Sequence, residues 1–453
     1  MSPISLLSLL VRPHARGLRT VVASTIRQVN ATRALGSVIP RKLEAPSALF
    51  GSTIRRLSTA APEFFQVESL PDSSTTVTLD NKIRVNWHDG QQSQYHNVWL
   101  RDHCRCPECY HQLTRQRLVN TFKIPTDIRP SDLTLKKDTI EVTWANDSHK
   151  SIYPLTWLRQ HSYDPPLADP KTTEIPIFWG AEIAENPPTV QFDDVMHSDS
   201  ALSHWLTNIT TYGFSFVDGV PVTPSHTEQL ARRICFLRET HYARGLWDFT
   251  ADLAHGDTAY TDLALRAHTD NTYFTDPSGL QLFHLLEFDG TGGQSLLVDG
   301  FHAAAELHRR SPDAYATLAE IPVPTHSAGD AGVFIIPTPR ARPILNHDPV
   351  TGRLYQVRYN NGDRSTLTGL EARDVERFYE ALRRWDEVIE DKAMEFWTAL
   401  RPGRAMIFDN WRCLHGRAAF TGHRRLCGVY LNWDDYRSRV RVLGLSEEKE
   451  RLI

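Results

Sequence analysis

The sequence predicts a mainly β protein with flanking helices: a small N-terminal β domain followed by a larger jelly-roll domain, a double-stranded β-helix. Three observations carry that expectation. First, "TVTLDNKIRVNWHDG" and "TIEVTWANDSHKSIYPLTWL" alternate apolar and polar residues with the period of half-buried strands. Second, from residue 265 onward many short strand-like pieces appear: "GLQLFHLLEF", "GQSLLVDGF", "LYQVRYN", "RAMIFDN" and "LCGVYLNWDD". Their wide, irregular returns suit a jelly roll better than a parallel α/β sheet. Third, helical patterns are few: "DSALSHWLTNITTYG", "TPSHTEQLARRICFLRET", "FHAAAELHRRSPDAYATLA" and "ARDVERFYEALRRWDEVI".

In chain order, residues 1–62 come first and differ in kind from the rest. They carry nine Lys and Arg against a single acid, Glu44, and are rich in Ser, Thr, Ala and Leu. Arg-rich, Ser-rich and acid-poor is the composition of a mitochondrial transit peptide, and a matrix location follows from it. Residues 63–165 form the small β domain. The Pro-rich "SYDPPLADPKTTEIP" (162–176) reads as a linker, and 177–453 forms the jelly roll. No internal repeat is apparent. A net charge of −4 over 453 residues excludes nucleic acid as the main partner, and no apolar run is long enough for membrane insertion.

Two clusters point to metals. Cys104, Cys106 and Cys109, three of only six cysteines, stand in a C-x-C-x-x-C spacing. Thiolates this close can share one tetrahedral zinc, with a fourth ligand from His88, His96, His103, His111 or His149. All-protein ligation would make that zinc structural. The pattern H-x-D occurs three times: His197/Asp199, His255/Asp257 and His268/Asp270. The first sits at an expected helix start. The other two are equally able to begin a 2-His-1-carboxylate iron site, whose distal histidine His415 would supply after "RAMIFDN". Arg424, nine residues further on, is a guanidinium fork suited to a carboxylate.

"AHTDNTYFTDPSGLQLFHLL", "GTGGQSLLVDGF", "RYNNGDRS" and "FDNWRCLHGR" resemble the gamma-butyrobetaine and trimethyllysine dioxygenase family, within the taurine-dioxygenase-like 2-oxoglutarate oxygenases. The resemblance runs from about 65 to 445 and includes the cysteine-bearing domain. It implies that His268, Asp270 and His415 bind Fe(II), that Arg424 holds the cosubstrate 2-oxoglutarate with help from Thr291, and that ascorbate serves as reductant. It implies Cys104, Cys106, Cys109 and His149 as zinc ligands, and a homodimer. Between Tyr242 and Trp247 this chain is one residue longer than the family pattern.

Both family substrates carry a trimethylammonium group, which cannot donate a hydrogen bond and is recognised by ring faces. The resemblance assigns Tyr242, Trp247, Tyr260 and Tyr430 to that cage. Trimethyllysine adds an α-ammonium that butyrobetaine lacks. Asp257, three residues before Tyr260, stands where the butyrobetaine enzymes carry asparagine, and an acid there suits the ammonium. Asn360 and Asn361 are the candidates for the substrate carboxylate. The expectation is therefore O2-dependent hydroxylation of trimethyllysine at C3, yielding succinate and CO2, the first step of carnitine biosynthesis. The rivals are gamma-butyrobetaine hydroxylation, an oxygenase of an unrelated substrate such as a sulfonate, and a non-enzymatic zinc-binding interaction module.

Overall fold

The computed structural model describes residues 76–79, 82–167, 176–250, 258–338 and 341–444. The expected leader at 1–62 and most of the expected linker lie outside them.

Alternation builds the N-terminal part as expected. Thr76–Leu79, Lys82–Asn86 and Gln92–His96 pair antiparallel, as do Pro130–Leu135, Thr139–Trp144 and Lys150–Pro154. Alternate residues of Lys82–Asn86, Gln92–His96, Thr139–Trp144 and Lys150–Pro154 are buried, and one core takes Ile83, Val85 and Tyr95 from the first sheet and Ile140, Val142, Trp144 and Tyr153 from the second. Each sheet ends in a one-and-a-half-turn helix, Asn97–Asp102 or Leu155–Gln160.

Contrary to the sequence expectation, this part is an internal repeat. Ile83, Val85 and Trp87 correspond to Ile140, Val142 and Trp144. Ser93, Tyr95, Leu100, Arg101 and His103 correspond to Ser151, Tyr153, Leu158, Arg159 and His161. The equivalence extends to hydrogen bonds. Trp87 Nε1 donates to Ser93 Oγ (2.7 Å), and Trp144 Nε1 donates to Ser151 Oγ (2.9 Å). The two halves also grip each other reciprocally. Tyr95 donates to the Leu158 carbonyl and Tyr153 to that of Leu100. Arg101 reaches Asp147 in the second hairpin, while Arg159 reaches Asp89 in the first. One extra hairpin residue in the second half and divergence at most surface positions hide the period in the text.

The larger part consists of two facing sheets. One has six strands in the order Leu246–Phe249, Phe420–Leu431, Leu280–Gly292, Arg404–Asp409, Phe214–Asp218 and Thr189–Gln191. The other runs Leu265–His268, Cys413–Arg417, Ser295–Asp299 and Phe396–Thr398. All pairs are antiparallel except Thr189–Gln191 with Phe214–Asp218. Inner-face residues Phe214, Phe216, Leu285, Met406 and Phe408 meet Leu297, Phe396 and Cys413 across the sandwich. This is the jelly-roll arrangement the short strands predicted.

Alternation also explains why both outer faces are apolar and covered. Val217, Leu282, Ile407 and Val429 pack under helices Asp199–Tyr212 and Pro224–Arg232. Leu296, Val298 and Leu414 pack under Gly300–Arg310 and Ala372–Ile389. Asp199–Tyr212 starts where Ser198 Oγ accepts from the Ala201 amide and stops at Gly213, whose φ of 80° suits a residue without Cβ. The expected single helix "FHAAAELHRRSPDAYATLA" is two, Gly300–Arg310 and Pro312–Glu320, because Pro312 has no amide proton to continue the ladder. "TPSHTEQLARRICFLRET" is helical only over Pro224–Arg232.

The reciprocal tyrosines yield a test. Tyr95→Phe and Tyr153→Phe each remove one buried hydrogen bond, from a carbonyl that the amide of His161 or His103 also meets. Each is expected to lower stability in urea by about 0.5–1.5 kcal/mol, and by similar amounts. A loss at one position with none at the other would break the equivalence of the halves.

Candidate functional site

The cysteine cluster lies between the two repeats. Cys104, Cys106 and Cys109 follow the first helix, and His149 returns from the second hairpin. His149 Nε2 stands 3.3, 3.5 and 3.5 Å from the Sγ atoms of Cys104, Cys106 and Cys109. Four ligands around tetrahedral zinc would sit roughly 3.6 Å apart, from Zn–S and Zn–N bonds of about 2.3 and 2.0 Å. Burial, and then the neighbouring Cys104, push the Cys109 thiol up to about 12. Burial and the Arg101 guanidinium hold His149 below its ordinary value, as the neutral imidazole a metal needs. Without a cation the buried Cys104 and Cys109 thiols keep their protons; with one they can ionise. Of the five candidate fourth ligands, the fold brings His149 to the thiols.

The second cluster stands between the sheets. His268 ends Leu265–His268 and lies opposite His415 in the antiparallel register. The chain then turns, with Asn271 at a φ of 58°, and the turn swings Asp270 toward both imidazoles. Asp270 Oδ1 lies 3.2 Å from His268 Nε2 and 3.6 Å from His415 Nε2. His268 Nδ1 meets the Arg266 carbonyl at 2.8 Å, which leaves Nε2 for a metal. Burial, and then the charge of His268, push His415 down to about 3. Burial opposes the Asp270 carboxylate, but His415 and His268 outweigh it and hold the group well below the usual range. An ionised carboxylate and a neutral imidazole are the ligand chemistry of a 2-His-1-carboxylate site.

These ligands open onto a cavity of about 490 Å³. Tyr242, Trp247, Tyr260, Tyr430, Asn360, Asn361 and Arg424 all line it. The rings form a continuous run: Tyr242 to Tyr260 at 6.4 Å, Tyr260 to Phe249 at 4.5 Å, Phe249 to Trp247 at 5.4 Å, and Trp247 to Tyr430 at 6.2 Å. The extra residue before Trp247 does not remove Tyr242 from the lining. Phe249 was missed by sequence reasoning, although "LWDF" places it on the same strand face as Trp247. Gly428 makes room for the indole, since a Cβ there would lie 2.2 Å from the Trp247 ring.

Arg424 is buried over the Phe420 ring, 5.5 Å from its centre, and no described residue offers it an anion or an acceptor. Burial, and then the adjacent Arg417, push it down to about 10. Arg417 differs, because it donates to the carbonyls of Ala259, Thr261 and Leu263. A buried guanidinium facing a cavity without a partner is a site for an anion. Thr291 is outside the lining; it lies exposed with its hydroxyl 2.9 Å from that of Thr421. Asp257, together with His255, lies outside the described residues.

Comparison with known proteins agrees with this geometry. The model of the "Taurine catabolism dioxygenase TauD, TfdA family" matches residues 168–430, and that of "Gamma-butyrobetaine hydroxylase-like, N-terminal" matches 76–159. Trimethyllysine dioxygenase of Meyerozyma guilliermondii is 42% identical over 81% of this chain and 94% of its own length. The mitochondrial trimethyllysine dioxygenase of Homo sapiens is 42% identical over 77% of this chain and 82% of its own. Gamma-butyrobetaine dioxygenase of Pongo abelii is 30% identical over 80% of this chain and 94% of its own.

Two outcomes follow from the site. Arg424→Met is expected to weaken 2-oxoglutarate by about 2 kcal/mol or more, roughly thirtyfold in KM, while leaving Fe(II) content unchanged. Cys106→Ser is expected to reduce the zinc retained against a chelator to near zero and to lower the melting temperature, measured by metal analysis and calorimetry.

Proposed function

The chain belongs to the TauD, TfdA family of dioxygenases, and from that membership we propose that it hydroxylates N6,N6,N6-trimethyl-L-lysine at C3. Fe(II) and 2-oxoglutarate are the cofactor and cosubstrate, and the reaction would open carnitine biosynthesis. The observation that carries the substrate is the contrast in identity. Trimethyllysine dioxygenases match at 38–42%, and a butyrobetaine dioxygenase matches at 30% over a similar share of the chain. A non-enzymatic zinc module would have no use for three ligands and an unpaired arginine around one cavity.

His268, Asp270 and His415 would hold Fe(II). When bound, the iron couples decarboxylation of 2-oxoglutarate, to succinate and CO2, with insertion of one oxygen atom into a substrate C–H bond. The remaining work is positioning. Arg424 would pair with the distal carboxylate of 2-oxoglutarate through two parallel hydrogen bonds. Tyr242, Trp247, Tyr260 and Tyr430, joined by Phe249, would face the trimethylammonium. Asn360 and Asn361 would orient the substrate carboxylate, and Asp257 its α-ammonium. The rings and the polar end together would fix which carbon faces the metal. Thr291 has no role in this reading, since its hydroxyl is spent on Thr421 outside the cavity.

The same reading includes a structural zinc on Cys104, Cys106, Cys109 and His149, ascorbate as reductant, and assembly as a homodimer. It divides the chain into a transit peptide at 1–62, a zinc-binding β domain at 63–165 and the oxygenase domain at 177–453. A mitochondrial matrix location rests on the basic leader and on relatives named mitochondrial.

Product analysis tests the proposal. Protein lacking residues 1–62, given Fe(II), ascorbate and 2-oxoglutarate, is expected to add one oxygen to trimethyllysine and not to butyrobetaine, with matching succinate. Oxygen on butyrobetaine alone would reverse the substrate assignment. Trp247→Ala removes one ring face and is expected to raise KM for trimethyllysine roughly threefold to thirtyfold, about 0.5–2 kcal/mol, with that for 2-oxoglutarate unchanged. Asp257→Asn should impair trimethyllysine turnover far more than 2-oxoglutarate binding. Equal loss of both would remove Asp257 from the substrate site.

A further inference from the structure

Asp270 has two carboxylate oxygens with different surroundings. Oδ1 faces the imidazoles of His268 and His415, at 3.2 and 3.6 Å. Oδ2 accepts from Gln281 Nε2 and from the Tyr430 hydroxyl, each at 2.7 Å. These two donors are cross-strand partners, Gln281 on Leu280–Gly292 opposite Tyr430 on Phe420–Leu431. Both side chains therefore project from the same sheet face toward one atom. The orientation of the Gln281 amide is decided by chemistry, because an ionised carboxylate only accepts. Its own Oε1 is left buried with no partner among the described residues. The backbone of Asp270 is pinned as well. Asn410 Oδ1 accepts from the Asp270 amide (2.8 Å), and Asn410 Nδ2 donates to its carbonyl (3.0 Å).

We propose that Gln281 and Tyr430 are positioning residues that make Asp270 a one-oxygen ligand and so keep a coordination position free. The inference rests on the iron reading above. An octahedral ion has six positions, of which three go to the protein. A 2-oxo acid binding through its keto and carboxylate oxygens takes two more, and O2 needs the last. A carboxylate turned to bind through both oxygens would take one of these. Two donors on Oδ2 oppose that turn, because they occupy both of its lone-pair sites and chelation would displace at least one charge-assisted hydrogen bond. Tyr430 then serves twice, with its hydroxyl on the ligand and its ring on the cavity wall. Tyr430→Phe separates the two roles, since it keeps the ring.

The test uses zinc-loaded protein under anaerobic conditions, titrated with Co(II) alone and then with 2-oxoglutarate. Cobalt d–d absorption reports coordination number. Wild-type protein should take up one Co(II) that His268→Ala abolishes. Retention of that Co(II) by His268→Ala would overturn the metal site itself and the clamp with it. Tyr430→Phe combined with Gln281→Leu should still bind Co(II), within threefold of wild type or tighter. Its cobalt spectrum should be altered before 2-oxoglutarate is added, and its 2-oxoglutarate affinity should fall at least tenfold. In the iron enzyme, succinate formed per hydroxylated product should rise above one. An unchanged cobalt spectrum with 2-oxoglutarate affinity within twofold of wild type would overturn the clamp. Should the double variant not fold, Tyr430→Phe alone, which removes one oxygen atom, decides by the same spectrum and a twofold or greater loss of affinity.

Discussion

The catalytic half of the molecule depends on strand register. His268 lies opposite His415, and Gln281 lies opposite Tyr430. Side chains of a strand alternate between faces, so a slip of one residue in either pair would send half of these groups into the helices behind the sheets. The register is held by burial on both sides. Inner residues such as Phe283 and Phe408 fill the sandwich, while outer residues such as Leu282 and Ile407 sit beneath helices. No continuous shift satisfies both faces, so the register fixes the strand-borne groups, and the turn after Leu265–His268 adds Asp270 to them.

A second constraint joins the sheets at their ends. Arg412, fully buried, donates to both oxygens of Asp299 at 3.0 and 2.7 Å and to the carbonyls of Thr211 and Ile177. Asp299 also caps the helix that begins at Gly300. A buried ion pair is worth little unless its remaining donors are satisfied, and here those of Arg412 are. The repeat in the N-terminal part shows the same economy of partners with a different outcome. Equivalent turns place Asp89 and Asp147 over the amides of Gln91 and His149, at 3.1 and 3.0 Å. Yet only one half carries thiols. The positions equivalent to Cys104, Cys106 and Cys109 are Ser162, Asp164 and Leu167, and that equivalent to His149 is Gln91. There, Lys82 to Asp164 at 3.2 Å and Ser162 to Ser93 at 2.7 Å tie the halves. The metal-type cross-link, with thiols from one half and His149 from the other, therefore has no counterpart at the equivalent positions of a duplicated frame that already grips itself by hydrogen bonds.

Much of this was legible in the sequence, and the misses have physical causes. Period-two patterns located the strands, since both parts bury alternate residues. Gly213 bounded its helix by positive φ, a local property, while the cap expected at the opening Asp199/Ser200 falls one residue earlier, at Ser198. The triad was only half legible. Spacing could not separate His255/Asp257 from His268/Asp270, because the choice depends on which strand lies opposite His415. Gln281 had no signal at all: a glutamine among leucines reads as a polar interruption until its partner across the ladder is known. Phe249 was missed because "LWDF" shows that it shares a strand face with Trp247 but not what that face lines. The repeat was legible in principle, in "VNWHDG" against "VTWAND" and "WLRDH" against "WLRQH", but one inserted hairpin residue breaks the period between them.

The cost of the site is concentrated in a few atoms. Arg424 keeps a buried guanidinium without an anion, and Gln281 leaves a buried carbonyl unpaired. Each arrangement opposes folding by an amount of order 1–3 kcal/mol, and a core of apolar residues would be more stable. The surrounding structure supplies the offset in places that touch no ligand, through the satisfied Arg412–Asp299 pair and the helices that cover both outer faces. The two costs are not alike. That of Arg424 is removed when an anion enters the cavity, so it makes binding favourable. That of Gln281 persists in every state, because its carbonyl faces away from the ligands. A permanent cost is tolerated only if the other end of the side chain does something that leucine, of similar size, could not. On this chain that other end holds the second oxygen of Asp270.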